Sequence, residues 1–264
     1  MPAALRVAGI AASVHPLNST TAESVIELYP AIDLRQGACV RLRQGEADRE
    51  TRYEVSPLDV AAAYADAGAQ WIHVVDLDAA FGTGTNRDVV SHIARTSPLR
   101  VQTGGGLRSL EDLEVVLEGD VHRAVIGTAA VRSPELVAEA VSRWGPERIA
   151  VGLDAREGEV AVRGWTEGSG RSLLEVGREM RDAGVTTVIY TDIARDGMGT
   201  GPDIEGSRRL HRETGLEVIV SGGIGSADHL RAVRDAGPGV GGVIVGRALY
   251  EGELDVEAAL AALR

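Results

Sequence analysis

The sequence contains no lysine, and all 27 basic residues among its 264 are arginine. Schiff-base chemistry and general-base catalysis by lysine are therefore excluded. The single cysteine, Cys39, excludes an intramolecular disulfide and a cysteine-based zinc site, and it fits the reducing cytoplasm, where we expect the protein to reside. No apolar run approaches the ~18 residues that span a bilayer, so we expect no membrane partner.

Aromatic residues make up only 3% of the chain, so the core must be built from Val, Ile, Leu and Ala. The net charge of −12 argues against a nucleic-acid partner. It still allows a local anion site, because backbone N–H groups and a few arginines can build one.

Residues 1–28 differ from the rest of the chain. The mildly apolar segment from Ala3 to Ala12 is interrupted by Arg6 and lacks a charged start, which is unlike a signal peptide. We interpret residues 1–28 as a disordered extension, or as the result of a start codon assigned too early. Residues 29–264 then form one catalytic domain.

Apolar runs alternate with helical patterns along this domain. The predicted strands are 25–33, 71–77, 99–103, 122–127, 148–153, 186–192, 216–221 and 241–246, and the predicted helices are 56–68, 86–95, 109–119, 133–144, 171–183, 203–215, 226–236 and 255–263. The strands are apolar throughout, as in a parallel sheet covered on both faces. Eight βα units in about 250 residues predict an α/β fold of the closed (β/α)8, or TIM, barrel type. An open, doubly wound sheet is the alternative.

The ends of the strands repeat after 116–121 residues. Asp33 corresponds to Asp154, Gly105 to Gly222, and Gly127 to Gly246. Such self-similarity indicates an internal duplication. We predict two duplicated half-barrels, which favours the closed barrel over the open sheet.

Glycine pairs follow the third and seventh strands. Gly104-Gly105 and Gly222-Gly223 each precede a helix, while Gly127-Thr128 and Gly246-Arg247 close the next strands. Glycine lets the backbone approach an anion, and a helix N-terminus directs N–H groups at it. The duplication therefore predicts two phosphate sites across the barrel mouth, and an elongated small-molecule ligand with a phosphate at each end. The alternative is that these glycines only make tight turns.

Carboxylates stand where the barrel has no structural need for them. Asp33 and Asp154 end strands one and five, and Asp196 follows strand six. Carboxylates at the ends of separate strands suit proton transfer in both directions. Because Asp33 and Asp154 lie on opposite sides of the mouth, we expect no metal site.

Three further polar residues lie in or after the second strand. His73 falls within it, and we predict a packed core residue. Asp76 and Asp78 end it, and two interpretations stay open: they bind the ligand, or they only support the loops.

At this point several segments resemble one family. Those segments are Tyr29-Pro30-Ala31-Ile32-Asp33-Leu34, Val40-Arg41-Leu42 with Gln44-Gly45, His73-Val74-Val75-Asp76-Leu77-Asp78, Gln102-Thr103-Gly104-Gly105-Gly106-Leu107-Arg108, Val151-Gly152-Leu153-Asp154, Thr191-Asp192-Ile193 with Arg195-Asp196-Gly197-Met198, Gly201-Pro202 and Val245-Gly246-Arg247-Ala248. They resemble the histidine-biosynthesis isomerases that act on a phosphoribosylformimino-aminoimidazole carboxamide ribotide. The resemblance covers about residues 28–264.

The resemblance implies an Amadori rearrangement of an aminoaldose to an aminoketose, without a metal or a redox cofactor. Asp33 would then be the general base and Asp196 the general acid, while Asp154 and Thr191 would hold sugar hydroxyls or assist. Arg41, Arg163 and Trp165 would contact the aglycone end. The full predicted substrate-binding set is Arg41, Thr103, Gly104, Gly105, Arg108, Gly127, Thr128, Arg163, Trp165, Gly197, Gly222, Gly223, Gly246 and Arg247. We expect a monomer.

Two segments are similar to the actinobacterial branch called phosphoribosyl isomerase A, which also isomerises phosphoribosyl anthranilate for tryptophan biosynthesis. They are Asp78-Ala79-Ala80-Phe81-Gly82 and Arg163-Gly164-Trp165. Thr103 stands where that branch usually has Ser, and Asp203 where Asn is usual, so activity on the ribotide is the main prediction and dual activity the alternative.

Three competing functions stay open. The related cyclase subunit of imidazole glycerol phosphate synthase would have Cys where Ala31 stands, and the separate anthranilate isomerase would have Cys at Asp33. A catalytically silent barrel that only binds a bisphosphate is the third.

Overall fold

The computed structural model describes residues 26–43 and 46–264. The strands within these ranges are β1 (Glu27–Arg35), β2 (Ala38–Arg43), β3 (Glu46–Arg52), β4 (Trp71–Asp76), β5 (Arg100–Gly104), β6 (Arg123–Ile126), β7 (Ile149–Arg156), β8 (Glu159–Val162), β9 (Glu167–Ser172), β10 (Thr187–Asp192), β11 (Glu217–Ser221) and β12 (Val240–Val245). The helices are α1 (Pro57–Asp66), α2 (Leu77–Phe81), α3 (Arg87–Thr96), α4 (Leu110–Leu117), α5 (Thr128–Arg132), α6 (Pro134–Trp144), α7 (Leu173–Asp182), α8 (Ile204–Thr214), α9 (Ala227–Arg234), α10 (Arg247–Tyr250) and α11 (Val256–Leu263).

Eight parallel strands close into a barrel. Their order around the ring is β1, β4, β5, β6, β7, β10, β11 and β12, and β12 pairs again with β1. Closure leaves no free edge in the ring, and helices cover its outer face. The predicted (β/α)8 barrel is confirmed, and the open-sheet alternative is wrong.

The predicted elements agree with the observed ones to within about three residues at each end. Serine and aspartate caps explain where several helices begin. Ser109 accepts a hydrogen bond from the backbone N–H of Asp112, and Ser226 from that of His229. The predicted domain boundary at residue 29 is too late, because β1 begins at Glu27 and Leu28 is fully buried. Residues 1–25 of the predicted extension, and the Gln44-Gly45 pair, lie outside the described residues.

Two antiparallel hairpins that the apolar runs do not predict follow β1 and β7. In the first, β1 pairs with β2 and β2 with β3, and in the second β7 pairs with β8 and β8 with β9. The turns Gln36-Gly37 and Glu157-Gly158 both have positive φ at both positions, as a two-residue type I′ hairpin turn requires. The Gln36-Gly37 and Glu157-Gly158 pairs in the sequence could therefore have predicted these two hairpin turns. The hairpins lie at corresponding places, and the half-barrel duplication stays a prediction.

The core is aliphatic, as the scarcity of aromatic residues predicts. Most of it lies between the barrel and the helices. A smaller cluster fills the barrel interior, and it consists of Tyr29, Ala31, Trp71, Val125, Ala150, Ile189, Ile219 and Ile244. Within the described ranges, no helix is long and apolar enough to cross a membrane.

Candidate active site

A cavity of about 1190 Å³ opens at the carboxyl ends of the barrel strands. Each of the eight strands contributes one residue at or just past its end to the mouth: Asp33, Val75, Gly104, Gly127, Asp154, Thr191, Ser221 and Gly246. The small residues in this ring leave room for the cavity, and the polar residues supply groups that can bind a ligand or transfer protons.

Asp33 is held by an arginine from the first hairpin. It ends the barrel part of β1 and forms an ion pair with Arg41, which β2 brings back over the mouth. The Arg41 guanidinium lies against Gly246, where a Cβ would overlap it. Burial lowers the pKa of Arg41, but the carboxylates of Asp33 and Asp196 outweigh it and raise the pKa above its ordinary value. Arg41 is therefore a permanent cation in the mouth.

Asp196 has the most perturbed carboxyl group of the site. It lies in the loop after β10 and lines the cavity. Burial raises its pKa to about 6; the Arg41 cation opposes this shift, and the negative charges of Asp33 and Asp154 add to it. Such a carboxyl group can carry a proton near neutral pH and donate it.

Asp154 is held by neutral donors instead of a cation. The indole Nε1–H of Trp165 donates to its Oδ2 at 2.7 Å, and Thr191 is a second hydrogen-bond partner. Burial raises the pKa of Asp154, and these two hydrogen bonds oppose the shift. Arg163, Gly164 and Trp165 all have positive φ, so the strained turn between β8 and β9 is what places the indole over the mouth.

The glycine loops after β5 and β11 are built alike. A Cβ on Gly105 would lie 2.2 Å from the carbonyl oxygen of Asp76, and a Cβ on Gly223 would lie 2.3 Å from that of Gly201. Both residues have positive φ. Close loop packing therefore requires glycine at both positions. Phosphate binding by these loops stays a prediction. Both loops also line the cavity.

Short helices begin at the ends of the two neighbouring strands. The N-terminus of α5 starts after Gly127 and that of α10 after Gly246, and neither of these described N-caps has a side-chain hydrogen bond. Their N–H groups remain available to an anion. In the ring, β5 and β6 lie opposite β11 and β12, so the two anion-binding candidates face each other.

The cavity brings together all but one of the predicted site residues. Those that line it are Asp33, Arg41, Gly104, Gly105, Arg108, Gly127, Thr128, Asp154, Arg163, Trp165, Thr191, Asp196, Gly197, Gly222, Gly223, Gly246 and Arg247. Thr103 does not. Its hydroxyl donates to the carbonyl of Val74 at 2.8 Å, because alternation along β5 turns its side chain away from the interior. Thr103 therefore does not line the cavity, although the sequence prediction placed it in the substrate-binding set.

The two carboxylates after β4 support the loops. Asp76 caps α2 and accepts from Thr85 and Asn86, while Asp78 accepts from the backbone N–H of Gln36. Both side chains therefore support the loops, and neither lines the cavity at the barrel mouth. Asp203 has a similar role, since it caps α8 and accepts a hydrogen bond from Tyr190.

Sequence reasoning missed several lining residues. Ser221 lines the cavity and directly precedes the Gly222-Gly223 pair, so its position in the sequence could have predicted it. His73 is packed as predicted, at 9% exposure, but it also lines the cavity floor. Tyr53 lies at the end of the missed hairpin, so nothing in the predicted elements pointed to it. Among the described residues, no group of three His, Cys, Asp or Glu side chains is arranged to hold a metal ion.

Comparison with known proteins places the chain among relatives of nearly equal length. The family described as "Histidine biosynthesis protein" matches residues 27–255. A protein from Moorella thermoacetica is 48% identical over 236 residues, 89% of this chain and 97% of its own. Proteins from Rhodospirillum rubrum and Symbiobacterium thermophilum are each 50% identical over 89% of this chain, and 98% and 96% of their own lengths. All three are named 1-(5-phosphoribosyl)-5-((5-phosphoribosylamino)methylideneamino)imidazole-4-carboxamide isomerase. Matching residues 27–255 to that family, and sharing about half its residues with these isomerases, the chain belongs to the histidine biosynthesis protein family.

Proposed function

We propose that this protein isomerises the same ribotide, converting its aminoaldose end to an aminoketose by acid–base catalysis. The observation that carries the proposal is the arrangement of the mouth: Asp33 paired with Arg41, and Asp196 with its raised pKa, stand between two anion-binding candidates. The relatives' name contains two phosphoribosyl groups, which matches the two ends of the cavity.

The proposed reaction needs two protons delivered and two removed. Asp196 protonates the ring oxygen as the C1–O bond breaks, and the ring opens to a protonated imine that keeps its N–H and carries one positive charge. Asp33 removes the C2 proton, which gives an enolamine. Protonation of C1 and loss of the C2 hydroxyl proton then give the ketose, so atoms and charges balance. General acids and bases each contribute about 10²–10⁴-fold to rates of this kind.

The environment of Asp196 supports the role of acid. With a pKa of about 6, a useful fraction is protonated near neutral pH. Two bound phosphate groups would add negative charge to the mouth and raise the pKa further. Arg41 works in the opposite direction and keeps the group able to release its proton.

Asp154, Thr191 and Trp165 are proposed to hold the sugar and the aglycone. Asp154 accepts from the Trp165 indole N–H and has Thr191 as a second partner, and its carboxylate keeps further lone pairs that can accept from a sugar hydroxyl. The indole ring can stack on a heteroaromatic group. Arg163 is 60% exposed and paired with Glu167, so it is free to turn toward a ligand phosphate or aglycone at little cost.

Activity on both the ribotide and phosphoribosyl anthranilate remains a second candidate. One observation removes an argument against it. The Thr103 side chain faces away from the cavity, so the difference from the actinobacterial branch that spoke against phosphoribosyl anthranilate does not touch the ligand.

Steady-state turnover on the ribotide and on phosphoribosyl anthranilate tests both proposals. We expect turnover of the ribotide. Turnover of both substrates would support the dual role, and turnover of the ribotide alone would remove it. Binding of the ribotide without turnover would favour the catalytically silent barrel and contradict the proposal.

A monomeric state and a cytoplasmic location are further proposals. The monomer proposal is supported by the four predicted catalytic residues, which all line one cavity of a single closed ring. Light scattering of the purified protein measures the mass directly, and a stable dimer would contradict the first of these proposals.

A further inference from the structure

One polar side chain interrupts an otherwise apolar cavity floor. Two residues below the mouth, the lining residues of the ring are Ala31, His73, Val125, Gly152, Ile189 and Ile244. His73 pairs across the sheet with Ala31, so it lies one inward-facing layer, roughly 7 Å, below Asp33. The mechanism proposed above gives it no task.

A hydrogen-bond chain from the amino end of the barrel fixes the state of His73. Arg123 donates to Oε1 of Gln102 at 3.3 Å, and arginine can only donate. The amide oxygen of Gln102 must therefore face Arg123, and its NH2 group must face His73, whose Nδ1 lies 3.1 Å from Nε2 of Gln102. Nδ1 of His73 accepts, so the proton of the neutral ring is on Nε2.

Arg123 is itself firmly placed. Its guanidinium lies 4.7 Å from the ring centroid of Trp71, and Arg100 covers the same indole at 4.8 Å. It also donates to the carbonyl of Glu147 at 3.1 Å and to the hydroxyl of Tyr29 at 3.3 Å. Gln102 is completely buried. Because Gln102 is buried and its oxygen and nitrogen each already have a partner, the amide is held in this orientation.

The ring stays neutral. Burial lowers the pKa of His73 to about 3, and the charge of Arg41 lowers it in addition. Its Nε2–H has no hydrogen-bond partner among the described residues, and the side chain lines the cavity. A neutral donor of this kind can stabilise a developing enol oxygen without giving up its proton.

We propose that His73 presents its Nε2–H to a sugar oxygen next to the carbon that Asp33 deprotonates, and that Gln102 and Arg123 are positioning residues that fix this tautomer. The proposal rests on the proposed isomerase function for the identity of the ligand. The tautomer itself follows from the hydrogen-bond chain alone.

The test inverts the tautomer while it preserves shape. In Gln102→Glu, a carboxylate can only accept, so Nδ1 of His73 donates to it, and in a neutral ring Nε2 then carries no proton. Histidine ¹⁵N chemical shifts report which ring nitrogen carries the proton. We expect Nε2–H in the wild type, Nδ1–H in the variant, and a fall in kcat of about 100-fold with little change in KM. Gln70→Glu, the same change at an exposed position outside the cavity, should stay within about twofold of wild type.

Two results overturn the inference: a wild-type ring protonated on Nδ1, or an inverted tautomer in Gln102→Glu with kcat within about threefold of wild type. If Gln102→Glu does not fold, His73→Gln and His73→Leu decide. Glutamine keeps a neutral N–H donor, so its kcat should exceed that of the leucine variant at least tenfold, and equal values contradict the donor role. Wild-type turnover of the ribotide is a separate measurement, so failure of the proposed function gives a different result from failure of this inference.

Discussion

The two sides of the mouth use the same aspartate position in opposite ways. On the β1 side, Asp33 is paired with the Arg41 cation. On the β7 side, Asp154 is held by the neutral indole of Trp165 and by Thr191. The Arg41 and Trp165 partners each come from a hairpin that follows the strand, β2 in one case and the turn between β8 and β9 in the other.

Asp33 and Asp154 occupy corresponding positions in the sequence repeat, but their different partners suggest different roles. The Arg41 cation pairs with the Asp33 carboxylate and holds it in place over the mouth, which suits a base. Neutral donors around Asp154 hold its orientation without supplying charge, and burial raises its pKa. The chemistry of each side is therefore set by the hairpin and not by the strand that carries the aspartate.

Replacing Asp33 and Asp154 by asparagine, one at a time, should give the largest difference in kcat between the two sides of the mouth. We expect Asp33→Asn to lower kcat by about 10²–10⁴-fold, because the base is lost, and Asp154→Asn to lower it far less. Calorimetric binding of the ribotide should remain within about tenfold in both. Asp228→Asn, at a side chain that is 87% exposed, is the control. Equal losses at the two positions would show that the roles are not divided.

The comparison sharpens when Arg41 is changed to methionine. We expect kcat/KM to fall by about 100-fold, because the partly buried carboxylate of Asp33 then lacks its partner. The Arg41 charge lowers the pKa of Asp196, so its removal should move the alkaline limb of the pH–rate profile to higher pH. Arg178→Met, which removes an exposed ion pair with Glu213, should change neither quantity. An unmoved alkaline limb would mean that Arg41 does not act on Asp196.

On the other side, Trp165→Phe removes the N–H that reaches Asp154 and leaves a smaller aromatic ring. We expect KM to rise by about tenfold, as for loss of a hydrogen bond to a charged group, with a smaller change in kcat. Trp144→Phe, at the end of α6, serves as the matched control. A fall in kcat as large as that of Asp33→Asn would place Asp154 in the chemistry itself.

The smallest effect concerns stability and Asp196, which lies between the two sides. Its folded pKa of about 6 exceeds the ordinary 3.8, so folding favours the protonated form. The contribution of this proton to stability is complete below pH ~4 and is lost as the pH rises through 6. Asp196→Asn avoids the buried charge and should be more stable than wild type by about 3 kcal/mol well above pH 6, and equal below pH 4.

Urea unfolding at pH 4 and pH 8 measures this difference. A stabilisation that is the same at both pH values would come from another cause.

The sequence predicted the barrel because strand–helix alternation depends on local patterns that closure does not alter. It also predicted the mouth residues, since parallel strands bring their carboxyl ends to one face. It failed where the outcome depends on which way a side chain points. Thr103 belongs to the glycine motif by its position, but alternation along β5 turns it outward.

The two hairpins could not be predicted from runs of apolar residues, for a different reason. β3 and β9 are largely polar, so their strand conformation comes from antiparallel pairing with β2 and β8. The tautomer of His73 likewise depends on Gln102 and Arg123, which lie 29 and 50 positions further along the chain and meet it only in the folded barrel.

The central claim is that Asp33 removes the C2 proton of the ribotide. The most direct measurement follows a deuterium label at C2 of the substrate during incubation with wild type and with Asp33→Asn, each at saturating enzyme. We predict that wild type moves the label to C1 or to water at the rate of turnover. Asp33→Asn should bind the ribotide and leave the label in place over many wild-type turnover times. Loss of the label at the wild-type rate in Asp33→Asn would contradict the account.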